Sequence, residues 1–78
     1  MACRYVELNN LNMFEEKKEF DAYVKLRYRT KAVRCHVKIE NNHATVILKE
    51  NVYGVAIGQA AVFYENNRIL GGGWIEKV

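Results

Sequence analysis

The stretch that most limits what this chain can fold into is Gly58 to Ile75, GQAAVFYENNRILGGGWI, which holds four of the five glycines. Ala60 to Tyr64 is apolar and rich in β-formers, as is Arg68 to Leu70. Between them lies Glu65-Asn66-Asn67-Arg68. Asparagine tolerates positive φ, so Asn66-Asn67 suits a two-residue hairpin turn. Gly71 to Gly73 then precede Trp74 and Ile75. A glycine run inside a strand pattern marks a bulge, a barrel corner or a close approach of another backbone. A sharp bend in a small barrel is the first reading, and a direct ligand contact the second.

A chain of 78 residues, half of them hydrophobic, makes one small domain over 1–78 rather than a disordered tail. It contains no proline and no serine, and its net charge is +3. That surplus hints at an anionic partner but is weak by itself. The apolar runs are too short to span a bilayer, and the first residues lack a signal-peptide layout. Cys3 and Cys35 have no metal or redox spacing, so they read as reduced thiols of a cytoplasmic protein.

From the N-terminus, Arg4 to Phe14 alternates and then loses phase at Asn9-Asn10, as a strand with a bulge does. Glu15 to Glu19 is all charge and reads as a solvated loop or a short helical turn. Asp21 to Thr30 is the clearest strand. Ala22, Val24, Leu26 and Tyr28 face one way, and Tyr23, Lys25, Arg27 and Arg29 the other. Alternate strand residues lie about 7 Å apart, close to the phosphate spacing of an extended nucleic-acid strand. The cations could therefore track a backbone, giving affinity and register but no sequence choice. Equally, they could form an ordinary solvated face in which lysine blunts an edge.

Ala32 to Glu40 puts Val33, Cys35, Val37 and Ile39 on one face and Arg34, His36, Lys38 and Glu40 on the other, so Cys35 reads as an inert core thiol. Asn41-Asn42-His43 is a turn, Ala44 to Lys49 a β-branched strand, and Glu50 to Ile57 a connection leading to a positive-φ Gly58. The sum is an all-β fold, a small closed or nearly closed antiparallel barrel of about six strands. An open sheet this small would leave two long edges.

No catalytic residue emerges. Serine is absent, Asp21 is the only aspartate, and neither His36 nor His43 has an evident carboxylate beside it in sequence. His36 has no partner at ligand spacing, so no metal site is expected. The glycine run precedes no helix and lacks the dipole of a phosphate loop. Residue chemistry alone leads to a small basic barrel that binds or assists.

The segments VKLRYR, AVRCHVKIE and GQAAVFYENNRILGGGWIE resemble, in that order, the C-terminal barrel of the bacterial tRNA-specific 2-thiouridylases. Older usage calls the same family a tRNA (5-methylaminomethyl-2-thiouridylate)-methyltransferase. The resemblance covers about Tyr5 to Glu76; the GQAAVFY and LGGG pair is its more specific part. It implies an excised C-terminal domain of a three-domain enzyme that puts sulfur on the wobble uridine of tRNA. ATP and the two catalytic cysteines would belong to the N-terminal domain; Cys35 matches a barrel cysteine instead. No cofactor is implied for the barrel itself, which resembles the second domain of elongation factor Tu.

Carried over residue by residue, the resemblance makes Lys25, Arg27, Arg29, Lys31, Arg34, Gly58 and Gln59 the expected RNA-binding set. They would face the tRNA anticodon arm or the remaining domains of the parent enzyme. Tyr28 falls on the same motif, although alternation places it with the core. Gln59 is equally suited to an RNA contact or to a turn hydrogen bond. Trp74 stands where the family has an aliphatic residue, and reads as packing or edge cover rather than base stacking. The alternative is an interaction module that docks on its parent enzyme or another protein and has no RNA affinity of its own. The resemblance implies a tRNA sulfurtransferase as the parent, while this fragment alone carries none of the catalytic residues.

Overall fold

The computed structural model describes residues 2–27 and 30–78. Six strands, β1 (Ala2–Met13), β2 (Glu19–Lys25), β3 (Val33–Glu40), β4 (His43–Tyr53), β5 (Ala60–Glu65) and β6 (Arg68–Lys77), follow one another in sequence. They close into an antiparallel barrel in the order β1-β4-β3-β2-β5-β6. This is the fold expected from alternation and turn spacing.

Alternation sets the inside. Val6, Leu8, Val24, Val37, Val46, Leu48, Phe63, Leu70 and Ile75 are all buried in one cluster. Phe20 closes one side of it, its ring meeting Phe63 edge-on at 5.8 Å between centroids. Such edge-to-face pairs add to area burial. Cys35 sits in this core, and burial pushes its thiol up to about 12. It is therefore a packing group rather than a reactive thiolate.

Both short hairpins use paired asparagines. Asn41 and Asn42 have φ of 53° and 63°, and Asn66 and Asn67 have 49° and 66°. Two successive positive φ values define the type I′ turn, whose twist matches that of flanking strands. Asn10, with φ of 48°, marks the phase loss in β1. There, Asn9 pairs with Trp74 and Asn12 with Gly72, so β1 spends one extra residue.

The glycine run combines a bulge with close approach. The β5–β6 register shifts between Phe63 and Tyr64, and Leu70 and Gly71 are buried consecutively. Gly71 has φ of 146°, and a Cβ there would stand 2.5 Å from Asn12 O. A Cβ on Gly72 would overlap the carbonyl oxygen of Ala61, and one on Gly73 would stand 2.8 Å from Asn9 O. β6 thus lies pressed between β1 and β5, where only glycine fits.

Two elements differ from the sequence reading. β2 ends at Lys25 rather than running to Thr30. Its partner β3 begins at Val33, so Val24↔Val33 is the last pair on that side, and pairing with β5 stops at Lys25↔Val62 although β5 itself starts at Ala60. Leu26 still buries its side chain, but Arg27 turns away. In the other direction, β4 extends through Tyr53 because Ala2 and Cys3 pair with Tyr53 and Val52. Half of the expected connection is therefore strand.

Candidate nucleic-acid interface

The outer face of β2 changes character along its length: Glu19 and Asp21, then Tyr23, then Lys25. The cations of interest gather at the Lys25 end, where β2 gives way to the loop that reaches β3. Lys25 projects from the last residue of β2. Arg27 lies beyond it, exposed, and its Nη1 donates to the carbonyl oxygen of Tyr53 at 3.1 Å. That bond lays the guanidinium across Gly54, where a Cβ would stand 2.7 Å from Nη1. The Thr30 hydroxyl donates to Arg27 O at 2.9 Å.

Three adjoining depressions cover this end of the barrel. One, about 340 Å³, is lined by Lys25, Leu26, Arg27, Gln59, Ala60 and Val62. It brings three of the expected residues, Lys25, Arg27 and Gln59, around one groove. A second, about 290 Å³, adds Lys31 beside Arg27, Thr30 and Tyr53, with Glu50 also on its wall. The third, about 460 Å³, lies on the other side of Lys25 and is lined by Tyr23, Tyr64, Thr30 and the Asn66-Asn67 turn. Arg34 is exposed on β3 directly opposite Tyr23.

Gly58 and Gln59 form the corner before β5. Gly58 has φ of 91°, its amide donates to Ile75 O at 2.8 Å, and Ile75 donates to Gln59 O at 2.9 Å. Their backbones are thus turn-forming, while both residues remain exposed. Arg29 and Tyr28 lie outside the described residues.

The histidines do have carboxylates beside them. His36 Nδ1 lies 2.7 Å from Asp21 Oδ1, and its Nε2 lies 2.7 Å from Glu19 Oε2. Antiparallel pairing of β2 with β3 places Asp21 opposite His36 across the strands. The hydrogen bonds to Asp21 and then Glu19 raise the imidazole above its ordinary value, and both carboxyls are lowered by His36. His43 similarly meets Glu76, at 2.9 Å. Among the described residues, no group of three His, Cys, Asp or Glu side chains is arranged to hold a metal ion. No helix among them is long and apolar enough to cross a membrane.

Sequence reasoning noted Tyr23 only as an aromatic at one end of the cationic row, and missed Tyr64 altogether. Tyr23 and Tyr64 are direct partners between β2 and β5, strands far apart in the chain. The apolar face of the glycine seam was also not foreseen: Phe14, Ile69 and Trp74 stand exposed over Gly71 to Gly73.

The geometry defines a closed β-barrel module with a grooved, cation-rich end, a shape suited to holding a polyanion. The chain belongs to the aminomethyltransferase beta-barrel domain family, which matches residues 2–75. It is 63% identical over 76 residues to the tRNA-specific 2-thiouridylase MnmA of Sulfurimonas denitrificans, which covers 97% of this chain and 22% of that protein. The protein of the same name from Nitratiruptor is 61% identical over 72 residues, 92% of this chain and 21% of its own length. The Campylobacter jejuni protein is 49% identical over 70 residues, with 88% and 21% covered. The chain thus spans about a fifth of the curated relatives it matches.

Proposed function

We propose that this barrel is an accessory tRNA-binding and architectural domain of an enzyme that 2-thiolates the wobble uridine of tRNA. The observation that carries this reading is the gathering of Lys25, Arg27 and Gln59 around one groove, flanked by Lys31 and Arg34. The names of the relatives supply the substrate class. In this role the cations neutralise phosphates of the anticodon arm and fix its register, while base identity is read elsewhere. Arg27 is partly pre-placed by its bond to Tyr53 O, so less side-chain freedom is lost on binding. ATP and the sulfur-transfer chemistry belong, on this reading, to other parts of a longer cytoplasmic protein.

An amide NMR titration with an anticodon stem-loop tests this. Shifts along 25–34 and at Gly58-Gln59 that shrink as salt rises support direct RNA binding. Silence at millimolar RNA makes the barrel architectural only. The second reading, docking on the parent enzyme or another protein without RNA affinity, draws on one specific observation. Phe14, Ile69 and Trp74 expose a contiguous apolar surface over the glycine seam.

A further inference from the structure

The cation-lined groove accounts for phosphates but leaves the third depression unexplained. Its lining includes the cross-strand pair of Tyr23 on β2 and Tyr64 on β5, and Arg34 on β3 stands opposite Tyr23, outside the lining. Directly opposed residues in an antiparallel sheet hold their Cβ atoms about 5 Å apart, so the two rings share one wall. Tyr23 is 44% exposed, while Tyr64 is half-buried. Lys25, Thr30, Asn66 and Asn67 complete the lining, together with Ala32. The volume, about 460 Å³, falls within the range of small-ligand sites. None of the described residues lining it is acidic.

We propose that the Tyr23–Tyr64 pocket takes one unpaired RNA nucleotide, its base stacked on Tyr23 and its phosphate at Lys25. The inference rests on the RNA-binding reading of the barrel and adds to it a preference for a splayed-out base. Aromatic rings stack on any base, and amides of Asn66 and Asn67 can meet its hydrogen-bonding edge. A paired base hides that face and edge, so a duplex gains nothing here. An arginine-bearing peptide could also stack on tyrosine, but Lys25 and Arg34 repel it and attract a phosphate.

The test measures binding of the 78-residue protein to two fluorescent RNAs with the same number of nucleotides, a stem-loop with an unpaired uridine-containing loop and a blunt, fully paired duplex. Tyr23→Ala should weaken the stem-loop by about tenfold and leave the paired RNA within about twofold. Tyr23→Phe, which keeps the ring, should bind both as the wild type does. Equal stem-loop affinity in Tyr23→Ala and wild type overturns the pocket, and equal losses on both RNAs do the same. Arg27→Glu serves as the separating control. If it abolishes binding while Tyr23→Ala changes nothing, the basic groove stands and the pocket falls. If the wild type binds neither RNA, both fall. Should Tyr23→Ala unfold, ring-proton shifts of Tyr23 and Tyr64 with a uridine trinucleotide decide the matter, and unshifted rings reject the pocket.

Discussion

The glycine seam and the basic rim are opposite solutions to one problem, how to finish a small barrel. Along the seam, β6 is clamped between β1 and β5 so tightly that backbone meets backbone, and side chains are deleted to allow it. At the rim, β2 leaves the sheet after Lys25, and the long side chain of Arg27 reaches across to the end of β4. Shape is held at the seam by excluded volume, which tolerates no change. At the rim it is held by a few exposed hydrogen bonds, which tolerate many. β5 takes part in both, with Ala60 and Val62 lining the rim groove and the seam alike.

Substitution separates the two regions. The largest effect is expected at Gly72, where a new Cβ strikes the Ala61 carbonyl oxygen and no flexible side chain can yield. Gly72→Val should cost about 3 kcal/mol or more in denaturant unfolding, or abolish cooperative folding. A stable Gly72→Val barrel would remove the clamped seam from the account. Next comes the rim, where Arg27→Glu with Arg34→Glu should lower affinity for an anticodon stem-loop by at least about tenfold at low salt. The same pair should shift stability by only about 0.5 kcal/mol, read from the urea midpoint. A large stability loss there would mean that the rim is structural after all.

Gly58 sharpens the contrast because it has the backbone of the seam in the openness of the rim. Nothing lies within 4 Å of a Cβ placed there, yet its φ is 91°. Gly58→Ala should therefore cost about 1 kcal/mol, from strain alone. The smallest effect concerns His36. Its imidazole is raised by Asp21 and Glu19, so its contribution is complete below the ordinary histidine value and fades as pH rises through the folded one. Asp21 and Glu19 are lowered, so their share is present above ordinary carboxylate values and fades as pH falls through the folded ones. Wild type minus His36→Gln stability should thus peak between the ordinary carboxylate and histidine values, at about pH 5 to 6, and shrink as pH rises through the raised imidazole value. A difference that does not vary with pH would show that the cluster is not charged.

Much of this was legible in the chain, and what was not has a common cause. Period-two alternation fixed the inward faces of β2 and β3 and put Cys35 in the core, because each strand reports its own burial. The Asn66-Asn67 turn and the Gly71 to Gly73 bend were readable because special backbone angles demand special residues. What escaped depends on which strands become neighbours. Tyr64 joins Tyr23 only because β5 pairs with β2, and Asp21 reaches His36 only through the β2–β3 register. The end of β2 was overestimated for the same reason, since alternation carries past Lys25 while β3 begins only at Val33, opposite Val24. Three of the expected binding residues do converge, Lys25, Arg27 and Gln59, although Gln59 arrives from a distant corner.

Closure of the barrel also restricts how anything can attach to it. Each strand is hydrogen-bonded to two neighbours around the ring, from β1 through β4, β3, β2, β5 and β6 back to β1. Among the described residues, a visiting extended peptide therefore meets no strand that lacks a neighbour on either side, which leaves only short stretches of unpaired edge. Side chains and loop ends make up most of what the closed wall offers to a partner. Its binding preferences can then be rewritten by surface substitution without reopening the wall.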